Sequence, residues 1–477
     1  MFSPYLGYLF ATGGLRAPSS TYPYGFADPE RALYVLSLLG RGLSVVYTAG
    51  TVTVAYGIAR RLFSVEAARL AAWLVATCYP VVFYAHTMNA DASYLFWILL
   101  ALYCGVAAST TERVGAWTAL GAAAAMAVST KEQAFGFLLP LPLLAIGFAI
   151  PAARGGDGKL YRRILAMAAA AIVTVILANN ILLNPLGFVA RIAYLLGHPL
   201  TPVDAPLKPV AFAWFKGWLE WTYLEQFWDG LDSAMGTAMA WLAVAATVAV
   251  LRLRRVALWL ILPALGYYYL SLRGQQLITM RYSLPIILVA IILVAGFLAQ
   301  LRHATAGLGR QAVTALVLIL AALSLARGVE LDLLLAGDPR YRAEAWMGAH
   351  LAQGARGEAY QKQTYLPRPL RHVQLTEIPA AQRSIAALED RRPDFIVLSS
   401  VSPKSISHVW NPDWRTTGDL LVLLPDADRM VRALEGGALP YRQAIVLRQQ
   451  PRLIRPRITG LSPEIAIYVR ADSHESS

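Results

Sequence analysis

From Leu33 onward the chain is a succession of apolar runs separated by short polar joints, and the runs approach the ~20 residues that cross a bilayer as a helix. Backbone inside hydrocarbon must satisfy its own N–H and C=O groups, so such runs can only be helices. Spans are expected at Leu33–Ala59, Ala67–Ala85, Ala90–Ala108, Val114–Ser129, Ala134–Ala152, Ile164–Leu183, Ser233–Leu251, Val256–Leu272, Tyr282–Leu301 and Gln311–Ala326. Of the 477 residues 57% are hydrophobic and 15% charged, with a mean hydropathy of +0.48. The expectation is a polytopic α-helical membrane protein of about ten spans.

The formal charge of +13 raises the question of nucleic acid, but the arginines collect at the ends of apolar runs and near the C-terminus, without a basic face interleaved with aromatics. Membrane topology accounts for them instead, and no nucleic-acid partner is expected. Alternating sides along the chain puts Arg60 and Arg61, Arg113, Arg154 to Arg163, Arg252 to Arg255, and Arg302 with Arg310 in joints on one side. Short basic loops stay in the cytoplasm. Cys78 and Cys104 lie inside apolar runs and read as small core hydrophobes. The "RGGDGKL" stretch has a P-loop look, yet Leu160 stands where a magnesium-holding Ser or Thr would follow Lys159, and the glycine spacing is wrong. No GxGxxG, HExxH or GxSxG carries soluble-enzyme chemistry either, so a nucleotide-dependent enzyme is not expected.

The opposite side receives the remaining chemistry. It holds the joint with His86, Asn89 and Asp91, the joint with Lys131 and Glu132, the long loop 184–232 with His198, and Arg281 and Tyr282 at the head of a late span. Polar groups gathered at one membrane face suit a site at a lipid–water boundary. Each also has a plainer role: Asp91 suits a helix cap, Lys131 and Glu132 a solvated pair, His86 and Arg281 interfacial anchors. Arg41 is different, because it lies inside an apolar run, and intramembrane arginines generally face an interior or a water-filled cavity.

Two domains are expected. Residues 1–330 carry the spans, with the loop 184–232 bearing a Trp- and Tyr-rich stretch, "FAWFKGWLEWTYLEQFW", suited to an interfacial helix. Residues 331–477 change character: "DFIVLSS", "DLLVLLP", "YRQAIVL" and "EIAIYVR" read as strands and "YRAEAWMGAHLA" as an amphipathic helix, giving a small extracytoplasmic α/β domain.

The run from Leu38 to Tyr103, with an Arg in its first span, a basic pair after it, then Pro80, aromatics, His86 and Asp91, resembles the early membrane part of glycosyltransferase family 39, the protein mannosyltransferase-like GT-C enzymes. "AVSTKEQAFGFLLPLPLL" resembles that family's next landmark, "MRYSLPIILVAIILVAGFLA" its late Arg-Tyr-x-x-Pro span, and "DPRYRAEAWMGAHL" the start of its outer domain. The resemblance implies a GT-C-like fold and a transferase that moves a sugar from a polyprenyl-phosphate donor to a protein, lipid or glycan acceptor, in the plasma (inner) membrane of a prokaryote. Membrane lipids are its surroundings. In these terms Asp91 and His86 are the catalytic candidates, and Arg41, Lys131, Glu132, His198, Arg281 and Tyr282 the substrate-binding ones. A carboxylate there would accept the acceptor's hydroxyl proton or hold a divalent cation, Mg or Mn, while Lys131, Arg281 and Tyr282 stabilise the leaving phosphate.

One departure stands out. Family members begin with a further span and an outer loop bearing an Asp taken as the base, and this sequence resembles them only from the segment after that loop; a misassigned start is the expectation. A non-catalytic lipid-binding or assembly subunit of the same fold, and a multispan transporter, are the other two classes that fit a chain of this kind. The topology is testable: a cysteine placed at position 198 is expected to react with an impermeant thiol reagent added outside intact cells, and one at position 255 to stay protected. Labelling of 255 with sparing of 198 would invert the arrangement.

Overall fold

A computed structural model of the chain describes residues 3–19, 24–149, 158–195, 221–272, 280–361, 363–368, 370, 372–379, 382–400, 405–406, 422–423, 425–454, 456, 458 and 461–471. It divides into two compact units, Met1–Gly328 and Val329–Ser477.

The first unit is helical. Its elements are α1 (Ser3–Ala11), α2 (Pro29–Leu62), α3 (Val65–Thr77), α4 (Tyr79–Ala85), α5 (Ala90–Ala108), α6 (Val114–Thr130), α7 (Ala134–Leu138), α8 (Pro140–Ala149), α9 (Gly158–Ala178), α10 (Pro185–Leu195), α11 (Trp221–Met235), α12 (Thr237–Val250), α13 (Arg254–Tyr267), α14 (Met280–Ala304) and α15 (Gly307–Ala336). Among the described residues six helices are long and apolar enough to cross a membrane, or eight if two bent pairs each count as one span. The other two expected spans form the shorter apolar helices Val114–Thr130 and Ala134–Ala149. The chain is therefore a multi-pass helical membrane protein.

The bends have local causes. Pro80 cannot donate to the carbonyl one turn back, so α3 ends at Cys78 and α4 leaves at 59°. Gly236 sits at φ 86°, in the left-handed region, and there α11 turns by 114° into α12. That bend interrupts the run read from the sequence as one span from Ser233, and α11 takes up the second half of the Trp- and Tyr-rich stretch.

Contacts fix which helix ends lie together. Gly40 meets Met88, Gly50 meets Phe96 and Gly57 meets Tyr103, so α2 and α5 run parallel with side chains of one lying on glycines of the other. At their C-terminal end Glu66 receives Arg302 at 3.4 Å and His303 at 3.1 Å, Arg163 reaches Glu112 at 3.4 Å, and Arg255 donates to Ser109 Oγ at 3.2 Å. The basic joints thus gather at one end of the bundle. α6 lies with its backbone against α9, where a Cβ added at Gly121 would stand 2.0 Å from the Met167 carbonyl oxygen.

The second unit begins at Val329, within the last part of α15, continues with the helix α16 (Pro339–His350) and holds a five-stranded sheet in the order β2 (Val373–Glu377), β1 (Ala355–Ala359), β3 (Phe395–Ser399), β7 (Ile465–Arg470), β6 (Tyr441–Leu447). The β1–β2 and β1–β3 pairs are parallel, and β3–β7 and β7–β6 antiparallel. A separate short pair joins β4 (Ser405–Ile406) to β5 (Val422–Leu423). Alternation along β3 sends Phe395 and Val397 to the face covered by Ala343 and Met347 of α16, and Ile396 and Leu398 to the face covered by Leu388, Met430 and Leu434. The unit is a small three-layer α/β domain. Of "DLLVLLP" only Val422 and Leu423 are described as strand. β1 and β2 were not legible as strands: "ARGEA" and "VQLTE" are largely polar, and β1 fits because Gly357 leaves room for the Phe395 ring.

Gly121→Ala is expected to destabilise the detergent-purified protein, by about 1–3 kcal/mol for overpacking against a backbone carbonyl. A thermal unfolding midpoint equal to the parent's would show that α6 and α9 separate freely.

Candidate active site

At the end of the bundle remote from the basic joints, α5 begins after a tight joint in which Asn89, not Asp91, is the cap: Asn89 Oδ1 accepts from the Asp91 backbone N–H at 3.1 Å. The capping role read for Asp91 therefore belongs to its neighbour. Asp91 itself is 1% exposed, and its two carboxylate oxygens are taken by two cations. Lys131 Nζ donates to Oδ1 at 2.8 Å and Arg281 Nε to Oδ2 at 2.5 Å, while Arg281 Nη2 reaches Asn89 Oδ1 at 3.1 Å.

Three elements converge to make this cluster, and each ends for a sequence reason. Lys131 follows the last residue of α6, and the joint it opens is held by Ser271 Oγ donating to the Gln133 carbonyl at 2.6 Å. Ser271 belongs to a π-helical turn, Tyr268–Leu272, at the end of α13. Gly136 and Gly266 let α7 and α13 meet backbone to backbone just beyond, since a Cβ on Gly266 would stand 2.5 Å from the Gly136 carbonyl oxygen. Arg281 lies in the first turn of α14, where Pro285 lacks the N–H that would close on the Arg281 carbonyl. Tyr267 OH donates to the Tyr282 carbonyl at 3.0 Å, tying α13 to the same turn.

The Lys131 ammonium also lies over two rings, 4.9 Å from the Tyr282 centroid and 5.0 Å from that of Tyr94. Burial draws the ammonium below its ordinary value, with the Asp91 carboxylate pulling it back up. The pair of cations outweighs the single carboxylate, so the cluster carries one net positive charge. Lys131 keeps 14% of its side-chain surface and Arg281 42%, against 1% for Asp91. The cations, not the carboxylate, are what an incoming group can touch.

The other candidates separate into three situations. Glu132, next to Lys131, forms an ion pair with Arg191 of α10, whose Nη1 donates to Asn179 Oδ1 at 3.0 Å. Asn179 in turn donates to Ser129 Oγ at 2.9 Å. Sequence reasoning missed Arg191 and Asn179, although a lone Arg in the apolar run "PLGFVARIAYL" was the available signal. His86 is exposed at the end of α4, its Nδ1 donating to the Val82 carbonyl at 2.9 Å. Arg41 is exposed on α2, not turned into an interior as its place in an apolar run implied. Ser44 Oγ donates to the Thr87 carbonyl at 2.7 Å and Gly40 abuts Met88, so Arg41 stands level with the joint. The helix is longer than the expected span: about 51 Å at 1.5 Å per residue, against a hydrocarbon core of about 30 Å. His198 lies outside the described residues.

A divalent cation does not fit these residues. Both oxygens of Asp91 are committed to Lys131 and Arg281, and among the described residues no three His, Cys, Asp or Glu side chains gather as a ligand set.

Residues 37–183, which include α5, the Asp91 joint and Lys131, match the sequence model of the family described as dolichyl-phosphate-mannose-protein mannosyltransferase. Over that stretch the chain is similar to the mannosyltransferase-like GT-C family. The family is one of membrane glycosyltransferases, as the resemblance read from the sequence implied. Among solved structures the chain is similar to the Archaeoglobus fulgidus oligosaccharyltransferase in complex with zinc and sulfate, at 12% identity and TM-score 0.36, over 90% of this chain and 62% of that one. The apo form of that enzyme is similar at 12% identity and TM-score 0.36, covering 95% and 66%. ArnT from Cupriavidus metallidurans in the apo state is similar at 13% identity and TM-score 0.36, covering 90% and 83%. The chain thus spans slightly less than two thirds of the length of the oligosaccharyltransferase chains. No curated protein matches it.

Removing the negative charge while keeping the shape tests the cluster. Asp91→Asn leaves two cations facing each other without a counter-charge, and the thermal unfolding midpoint is expected to fall markedly, in line with the roughly 3 kcal/mol lost when one partner of a buried pair is removed. An unchanged midpoint would mean that Lys131 and Arg281 find other partners at no cost.

Proposed function

We propose that the protein transfers a sugar from a polyprenyl-phosphate donor to an acceptor at the outer face of the plasma membrane of a prokaryote. The observation that carries this reading is the paired cations, Lys131 and Arg281, held by a buried carboxylate among tyrosines at the end of the bundle away from the basic joints. A lipid-linked phosphate presents its charge at that depth, and its prenyl chain needs hydrocarbon, so recognition requires cations at the lipid boundary and no nucleotide pocket.

In the proposed reaction the acceptor oxygen attacks the anomeric carbon and the bond from that carbon to the phosphate oxygen breaks. The electron pair stays on the phosphate, which leaves as polyprenyl phosphate with one more negative charge. Lys131 and Arg281 meet that developing charge, and Tyr282 lies against the Lys131 ammonium and fixes its direction. Asp91 acts through them as a positioning residue. His86, the exposed titratable group of the same joint, takes the hydroxyl proton. Glu132 and Arg191 form the adjoining wall, and Arg41 faces the donor's approach from the lipid at the level of the joint. His198 belongs to the loop expected beside the acceptor. In this reading the second unit lies on the extracytoplasmic side.

The direct test is release of polyprenyl phosphate by the purified full chain, in lipid nanodiscs, from a panel of polyprenyl-phosphate sugars offered with peptide, lipid and glycan acceptors. Lys131→Ala is expected to cut the rate at least about tenfold, equivalent to 1.4 kcal/mol of lost transition-state stabilisation. Tyr282→Phe, which keeps the ring over the ammonium, is expected to stay near the parent rate. Parent-level turnover in Lys131→Ala would remove the cluster from the chemistry, and no turnover of any donor by the parent would favour the non-catalytic subunit.

A further inference from the structure

The opposite end of the bundle carries a second basic site, which the reaction does not use. A cavity of about 540 Å³ opens between α2 and α5, lined by Thr53, Gly57, Arg60 and Arg61 on one side and Leu100 and Tyr103 on the other. The α2 residues follow the i, i+4, i+7, i+8 spacing of a single helix face, so the cavity runs along the helix for about 12 Å and ends at the two arginines. Gly57 makes the room: the Tyr103 ring lies in the notch that its missing Cβ leaves, 2.9 Å from where that atom would be.

The arginines are arranged for an anion. Arg61 is pinned by its stack on the Tyr103 ring at 4.8 Å and by the hydrogen bond from Nη2 to Tyr103 OH at 3.1 Å. Both arginines are exposed, no carboxylate lines the cavity, and neither is in an ion pair among the described residues. Their depth is set by α2 itself. The uncharged stretch Gly42–Ala59 is about 27 Å long as a helix, close to the hydrocarbon thickness, so Arg60 and Arg61 stand at its boundary. The groove above them lies in the acyl region.

We propose that this cavity binds one anionic glycerophospholipid of the leaflet on the basic side, its phosphate between Arg60 and Arg61 and one acyl chain along Thr53, Gly57 and Leu100. A phosphate diester with a hydrocarbon tail matches both halves of the site: a charged end at the boundary, then an apolar groove parallel to the bilayer normal. A free anion would satisfy only the arginines.

Native mass spectrometry of the full chain in mild detergent, titrated with phosphatidylglycerol or phosphatidylcholine of the same acyl chains, tests this. One phosphatidylglycerol is expected to bind at least about fivefold more tightly than phosphatidylcholine. The double variant Arg60→Gln, Arg61→Gln should lose that preference. Thr53→Phe fills the groove without touching the arginines and should weaken phosphatidylglycerol binding at least about threefold. Equal binding of the two lipids by the parent, or an unchanged preference in the double variant, would overturn the proposal. So would displacement of the lipid by an equal concentration of inorganic phosphate, which would make this a free-anion site, or by a polyprenyl phosphate, which would make it a carrier site.

Discussion

One buried carboxylate organises the end of the bundle where the chemistry is proposed. Lys131 and Arg281 come from helices 150 residues apart in the chain, and two cations brought to one place repel each other unless something negative stands between them. Asp91 supplies that charge from the first turn of α5. Burying it alone would cost several kcal/mol, and the two ion pairs offset the penalty with one donor on each oxygen. The result is asymmetric in a useful way: the anion is fully covered while both cations keep surface, so the cluster attracts negative charge from outside.

The backbone around this cluster is irregular where a plain helix would have been cheaper. α3 breaks at Cys78, α13 ends in a π-turn, α14 carries Pro285 in its second turn, and α11 folds sharply at Gly236. Non-helical backbone at membrane depth is tolerated only where protein or water satisfies it. Here the loose groups are taken up in kind, by Ser271 on the Gln133 carbonyl, Tyr267 on the Tyr282 carbonyl and Tyr79 OH on the Ser233 carbonyl at 2.7 Å. The basic end, by contrast, is closed by short turns such as Phe63–Ser64, where Ser64 caps α3.

How much of this was legible in the sequence follows from which forces act locally. Apolar run length is a local property, and it located a helix for each expected span, but the ends differ by as much as ten residues, as where Gln311–Ala326 lies within Gly307–Ala336, and single residues bend the chain elsewhere. Gly236 is the clearest case: its positive φ, next to the Arg327 guanidinium, is set by packing and not by its neighbours in sequence. The joints holding Asp91, Lys131 and Arg281 were legible as polar interruptions, but their mutual pairing was not, because no sequence spacing reports a contact across 190 residues. Glu132 looked like the partner of its neighbour Lys131 and instead faces Arg191, a residue that drew no attention inside an amphipathic run. The sheet domain showed its apolar strands and hid its polar ones, since β1 and β2 owe their strand state to their neighbours.

The pairing at Asp91 also constrains the proposed reaction. A general base needs a lone pair within reach of the hydroxyl it deprotonates. Asp91 has both oxygens engaged by Lys131 and Arg281 and is 1% exposed, so it presents no lone pair to an incoming hydroxyl. The carboxylate of Glu132 is similarly held by Arg191. In the proposed reaction neither carboxylate therefore takes the hydroxyl proton. The proposed reaction gives the proton to His86: with Nδ1–H donated to the Val82 carbonyl, the basic nitrogen of its neutral ring is Nε2. The proposed reaction thus divides the work: the carboxylate fixes the cations that meet the phosphate, the cations stabilise its departure, and the proton goes to an exposed imidazole.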